Sequence, residues 1–169
     1  TTEIYTLSLH DALPIFARIM DENLRRVGGI TYTPEERAFA ERIAATLGEA
    51  RAPIESAGEI QPFDPDARGG ASTDVGDVSW VAPTVGLGTA TWVPGTAGHS
   101  WQAVAAGGTS IGTKGMMVAA KTLALTAMDL FASPSRITAA WRELEERRGA
   151  DFEYRPLVGD RSSPLDYRK

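Results

Sequence analysis

Residues 72–102 read STDVGDVSWVAPTVGLGTATWVPGTAGHSWQ, and the way this stretch folds decides the class of the whole chain. Residues 78–82 and 89–93 are β-branched and aromatic runs set between Gly and Pro punctuation, the pattern of strands. Trp80 and Trp92 are expected to pack a core. Two such strands among helices predict an α/β fold. An acidic turn (Asp74, Asp77) precedes the first run and a Gly/Thr-rich loop follows the second. Loops of this kind at strand ends are where α/β proteins place binding groups, because the scaffold is rigid and the backbone open. The second loop delivers His99, whose neutral imidazole suits a metal ligand or a proton carrier. Asp74 and Asp77 have an equally good structural role, bonding the backbone of their own turn.

Working outward, residues 16–26 put Phe16, Ile19, Met20 and Leu24 on one helical stripe, and Gly28-Gly29 stop it. Thr33-Pro34-Glu35-Glu36 predicts a helix start: Thr33 caps, Pro34 suits the first turn, and Glu36 completes a capping box. Phe39, Ile43 and Leu47 then recur at helical spacing. Residues 51–70 read as a loop. Residues 107–115, GGTSIGTKG, invite a phosphate-loop reading, but Thr113 stands where the lysine should follow the second glycine and Gly115 replaces the hydroxyl residue after Lys114. The preferred reading is a flexible lead-in to a helix over 116–131, with Met116, Ala119, Ala120, Leu123, Ala127 and Leu130 as its core face. Ser133-Pro134 starts a last helix with Ile137, Trp141 and Leu144 on its stripe and a Glu143–Arg147 pair outside.

Composition narrows the function classes. The chain has 169 residues, 43% hydrophobic and 23% charged, the length and balance of one soluble globular domain. A net charge of −5 and a pI near 5.1 leave no basic stripe to neutralise phosphates, so no nucleic-acid partner is expected. No run approaches the roughly 20 apolar residues of a membrane span, so no membrane partner is expected either. With no cysteine, any metal must be held by His, Asp and Glu. These features favour a cytoplasmic protein.

The order of residues says more than their types. Ser72-Thr73-Asp74-Val75-Gly76-Asp77-Val78-Ser79-Trp80, then Pro94-Gly95-Thr96-Ala97-Gly98-His99-Ser100-Trp101-Gln102, then Ile111-Gly112-Thr113-Lys114-Gly115-Met116 leading into Ala119-Ala120-Lys121, resemble the amidohydrolase branch of the aminoacylase-type metallopeptidases. The likeness runs from about Phe16 to the end, through Asn23-Leu24-Arg25-Arg26-Val27-Gly28-Gly29 and the tail Pro164-Leu165-Asp166-Tyr167-Arg168.

That resemblance implies a metal-dependent hydrolase with two divalent ions, zinc or manganese, cutting the amide of a small N-acyl or N-aroyl amino acid. His99-Ser100 matches the position of the last metal ligand. Ser72-Thr73-Asp74 matches a Ser-Glu-Asp segment that lines the site, with Thr73 departing from the Glu. Asp74 or Asp77 could accept from the second ring nitrogen of His99. The earlier ligands have no counterpart here, and one histidine cannot build a site that takes about three protein ligands.

The implied architecture is the incomplete C-terminal part of a zinc-peptidase-like catalytic domain, a partial sheet covered by helices. Residues 30–169 belong to that domain, and residues 16–29 form the exit from an inserted lid and dimerisation domain. The intact protein is then a homo- or hetero-oligomer, and this fragment alone is expected to be inactive and poorly soluble. An alternative is a non-catalytic subunit or interaction module assembling with a related hydrolase chain. A further alternative is a nucleotide-binding domain using residues 107–115.

Residues 1–15, TTEIYTLSLHDALPI, are also one frame's translation of bases that resemble a widely used sequencing-adapter oligonucleotide. They are expected to be an adapter-derived artefact, so His10 enters no site argument. Acidic residues within the stretch and the lack of a basic start disfavour a targeting peptide.

Overall fold

The computed structural model describes residues 14–48, 52–64, 75–155 and 162. Its elements are α1 (Pro14–Val27), α2 (Pro34–Ala44), a 3-10 turn (Ile54–Gly58), α3 (Val75–Val81), α4 (Trp101–Gly107), α5 (Ser110–Ala132) and α6 (Pro134–Arg148). None of the described residues lies in a strand. The expected α/β class, with a partial sheet, is therefore overturned: the described chain is all-helical.

Both runs read as strands fail for identifiable reasons. Residues 78–81 belong to α3. Its last turn is held from outside: the Arg148 guanidinium donates to the Trp80 carbonyl at 3.2 Å, and Trp80 stacks on Phe152 with centroids 5.2 Å apart. Such contacts override the modest strand preference of valine, which reports a half-buried surface more than a backbone state. Residues 89–93 do run outside any helix, but without a ladder neighbour among the described residues. Ala90 and Val93 are buried in the main core beside Ile111 and Val118 of α5. At Gly115 the helix meets this segment so closely that a Cβ would collide with the Ala90 carbonyl.

Local signals for the helices hold well. Gly28 ends α1 with φ +84, a conformation that suits glycine. Thr33 and Glu36 form the full capping box. α1 lies along α5 and against α6. Its Asn23 is completely buried, donating to the Asp129 carboxylate at 2.9 Å and accepting from Arg26 at 2.7 Å. Phe16 and Ile19 of α1 pack with Ala140 and Leu144 of α6. On α6, Leu144 is buried as expected while Trp141 stays 39% exposed, and Arg147 pairs with Glu143 at 3.6 Å.

The face of α5 is the second correction. Its buried residues are Ile111, Gly112, Gly115, Val118, Thr122 and Thr126, not the stripe through Met116 and Leu123. Nor is 107–115 a flexible lead-in. Gly107 closes α4, Thr109 caps α5 by accepting from the Ile111 N–H at 3.3 Å, and the helix is already under way at Ser110. Small residues on the inner side let α5 approach its neighbours closely, which a larger apolar stripe could not. By length and composition alone α5 is apolar enough to cross a membrane, but Lys114, Lys121 and Asp129 interrupt it, so it is not an unbroken apolar run of about 20 residues.

Candidate functional site

Val93 and Pro94 are buried, and the Thr96 N–H closes a turn onto the Val93 carbonyl at 3.1 Å. Ser100 then starts α4: its Oγ accepts from the Ala103 N–H at 3.2 Å and donates to the Ala97 carbonyl at 2.7 Å. Between these fixed points His99 takes φ +58, the sole non-glycine in that region among the described residues. A left-handed backbone costs an L-residue about 1 kcal/mol, and strain of this kind collects at functional positions. His99 is exposed. A tied-down corner therefore holds an imidazole toward solvent.

The other residues implied by the resemblance do not gather there. Ser72, Thr73 and Asp74 lie outside the described residues. Asp77 sits in the first turn of α3. Its partner among the described residues is the Tyr154 hydroxyl, whose pKa is raised by partial burial and by that bond. Among the described residues no three His, Asp or Glu side chains come close enough to hold a metal ion. The described donor set alone does not fit the two divalent ions, so no chemical step is routed through them.

The structure also assembles a polar cluster that periodicity did not reveal. Lys114 Nζ donates to Glu36 Oε2 at 2.6 Å and to the Thr31 carbonyl at 2.9 Å, and sits 5.7 Å from the centre of the Tyr32 ring. The Ser110 hydroxyl donates to Glu36 Oε1 at 2.6 Å, and the Thr33 N–H donates to Oε2 at 2.7 Å. Burial works against the Glu36 carboxylate, but the bonds from Lys114, Ser110 and Thr33 prevail and hold its pKa below the ordinary value. Tyr32 moves the other way: burial first, then the Glu36 and Glu55 charges, push its phenol up to about 12. The lysine of the rejected phosphate loop is thus engaged by a carboxylate. Each partner stands out in the sequence for a separate reason, Glu36 as a cap and Lys114 as a failed phosphate ligand. Their pairing carries no local signal.

No family model matches the chain, and no solved structure matches it. Among curated proteins it is similar to one of the subunits of p-aminobenzoyl-glutamate hydrolase from Escherichia coli (strain K12), at 36% identity over 136 aligned positions. The match takes in 66% of this chain but spans 28% of that protein's length. The chain is thus related, as a partial match, to a hydrolase subunit, in keeping with the resemblance of its motifs.

Proposed function

We propose that this chain is the C-terminal portion of a metal-dependent amidohydrolase that cleaves N-acyl or N-aroyl amino acids of the p-aminobenzoyl-glutamate type. The 36% identity to a component of the hydrolase of that name carries the reading. The corner at His99 supports it: an exposed imidazole held at a backbone angle that costs energy is suited to reach a group supplied by other polypeptide. In this reading His99 is one ligand of a two-metal centre, and the remaining ligands belong outside the described residues. The chain alone is then inactive, and the intact protein assembles as an oligomer.

The test uses the uninterrupted gene. Its product should hydrolyse p-aminobenzoyl-glutamate when supplied with manganese or zinc. His99→Ala should abolish turnover and lower the bound metal measured by mass spectrometry. Full activity with unchanged metal content in that variant would remove His99 from the centre. An intact product that is catalytically silent yet copurifies with a related hydrolase chain would favour the assembly-module alternative.

A further inference from the structure

Successive residues of an α-helix are about 100° apart, so α5 has two opposed sides. Ile111, Val118 and Thr122 point into the protein. Directly opposite, Ala120, Ala124 and Ala127 form a low floor. Met116 and Leu123 edge that floor on one side, Met117 and Met128 on the other, and Phe131 stands at its foot. These five large side chains are strongly exposed: Phe131 85%, Met128 65%, Met116 56%, Leu123 49% and Met117 44%. Covering such side chains is favourable, and soluble monomers rarely leave a continuous apolar face of this kind in water. A floor of small residues between apolar rails admits another element at close range.

Three occupants can be weighed. A second copy of α5 packed antiparallel along its full length would set the exposed Lys121 of both copies along the same rim of the seam, a mildly unfavourable placement of like charges. A membrane would accept the outer face, but the inner face carries buried Thr122 and Thr126 and the Asn23–Asp129 bond, and the net charge of −5 opposes an anionic surface. The third occupant is polypeptide of the same hydrolase chain. The matched stretch spans 28% of the relative's length, so most of that chain lies outside it.

We infer that the outer face of α5, from Met116 to Phe131, is the packing surface for the remainder of a longer hydrolase chain, an inference that rests on the proposed function. Covered in this way, α5 is an interior helix, apolar on both sides, and its membrane-like composition is that of a buried core element.

The test grafts the matched residues of this chain into the Escherichia coli protein in place of their counterparts. Leu123→Asp and Phe131→Asp are then introduced both in the graft and in the 169-residue chain. In the graft each change should lower the melting temperature and the soluble yield, while Leu123→Met and the exposed α6 change Arg142→Asp should do neither. In the 169-residue chain the same Asp changes should reduce binding of an apolar dye and improve solubility. A graft that tolerates both Asp changes overturns the inference. So does a 169-residue chain whose dimer, or whose flotation with lipid vesicles, is lost on those changes while the graft is indifferent. Hydrolysis of p-aminobenzoyl-glutamate by the unmodified graft is scored separately. A graft that folds and is sensitive to the Asp changes but does not turn over the substrate sinks the proposed function and leaves the packing surface standing.

Discussion

Lys114 Nζ lies 2.6 Å from Glu36 Oε2 across 78 positions of sequence, tying the start of α5 to the start of α2. The carboxylate is 7% exposed and the lysine side chain 33%. Removing the lysine leaves a buried charge with fewer partners. Lys114→Met is expected to destabilise by about 1–3 kcal/mol, less than for a fully buried pair because the ammonium is still partly hydrated. Urea unfolding checks the magnitude. A double-mutant cycle with Glu36→Gln should show clear coupling, and strictly additive losses would count against the pair.

The same carboxylate sets the acid limb of stability. Its folded-state pKa lies below its ordinary value of 4.5, so the unfolded chain takes up the proton first as pH falls. The contribution is present in full above about pH 4.5 and is lost as pH drops through the lower folded-state value. Glu36→Gln should therefore flatten the acid side of a stability-against-pH curve while lowering stability at neutral pH.

Tyr32 predicts the alkaline limb. Its pKa rises from 10.0 to about 12 on folding, so the unfolded chain ionises first. Stability should be unaffected below about pH 10 and decline between about 10 and 12 as the unfolded phenolate gains its advantage. The Tyr32 hydroxyl is buried without a hydrogen-bond partner among the described residues. Tyr32→Phe should thus cost nothing at neutral pH, or stabilise by up to about 1 kcal/mol, and remove that slope. An unchanged alkaline slope in the variant would refute the assignment.

Gly115→Ala tests the contact between α5 and the extended segment. Alanine is the better helix former by about 1 kcal/mol, yet its methyl would collide with the Ala90 carbonyl. The clash is expected to win, giving a net loss of about 1–3 kcal/mol. A stabilised variant would show that α5 and Ala90 do not approach so closely.

His99 separates stability from the proposed function. At φ +58 a glycine relieves backbone strain, so His99→Gly should leave the melting temperature unchanged or slightly raised. Under the proposed function, the same substitution in the full-length protein should abolish turnover of p-aminobenzoyl-glutamate. Lower stability together with retained activity would contradict both halves.

Much of the local structure was legible. The capping box at Thr33 and Glu36 and the stop at Gly28 depend on backbone groups within a few residues, so the sequence holds all the interacting parts; α6 starts at Pro134 as read, but Ser133 makes no side-chain cap. The partial similarity to a hydrolase subunit was also anticipated from the order of residues in the sequence. What misled was composition. The valines and tryptophans of 78–93 suit a half-buried surface, and only the neighbours decide whether that surface becomes a ladder. Here Arg148 and Phe152 hold one run as helix, and Gly115 lies against the other.

Residue order alone determined the capping box at Thr33 and Glu36, the stop at Gly28 and the similarity to a hydrolase subunit, because capping and motif spacing are short-range properties of one chain. Tertiary structure alone decided that no sheet forms among the described residues, that Glu36 and Lys114 meet, and that α5 buries the face carrying Gly112 and Gly115 while Met116, Leu123, Met128 and Phe131 face out. An apolar helix has two faces it could bury. Which one it does bury depends on how closely its neighbours must approach, and that is a property of the packed chain.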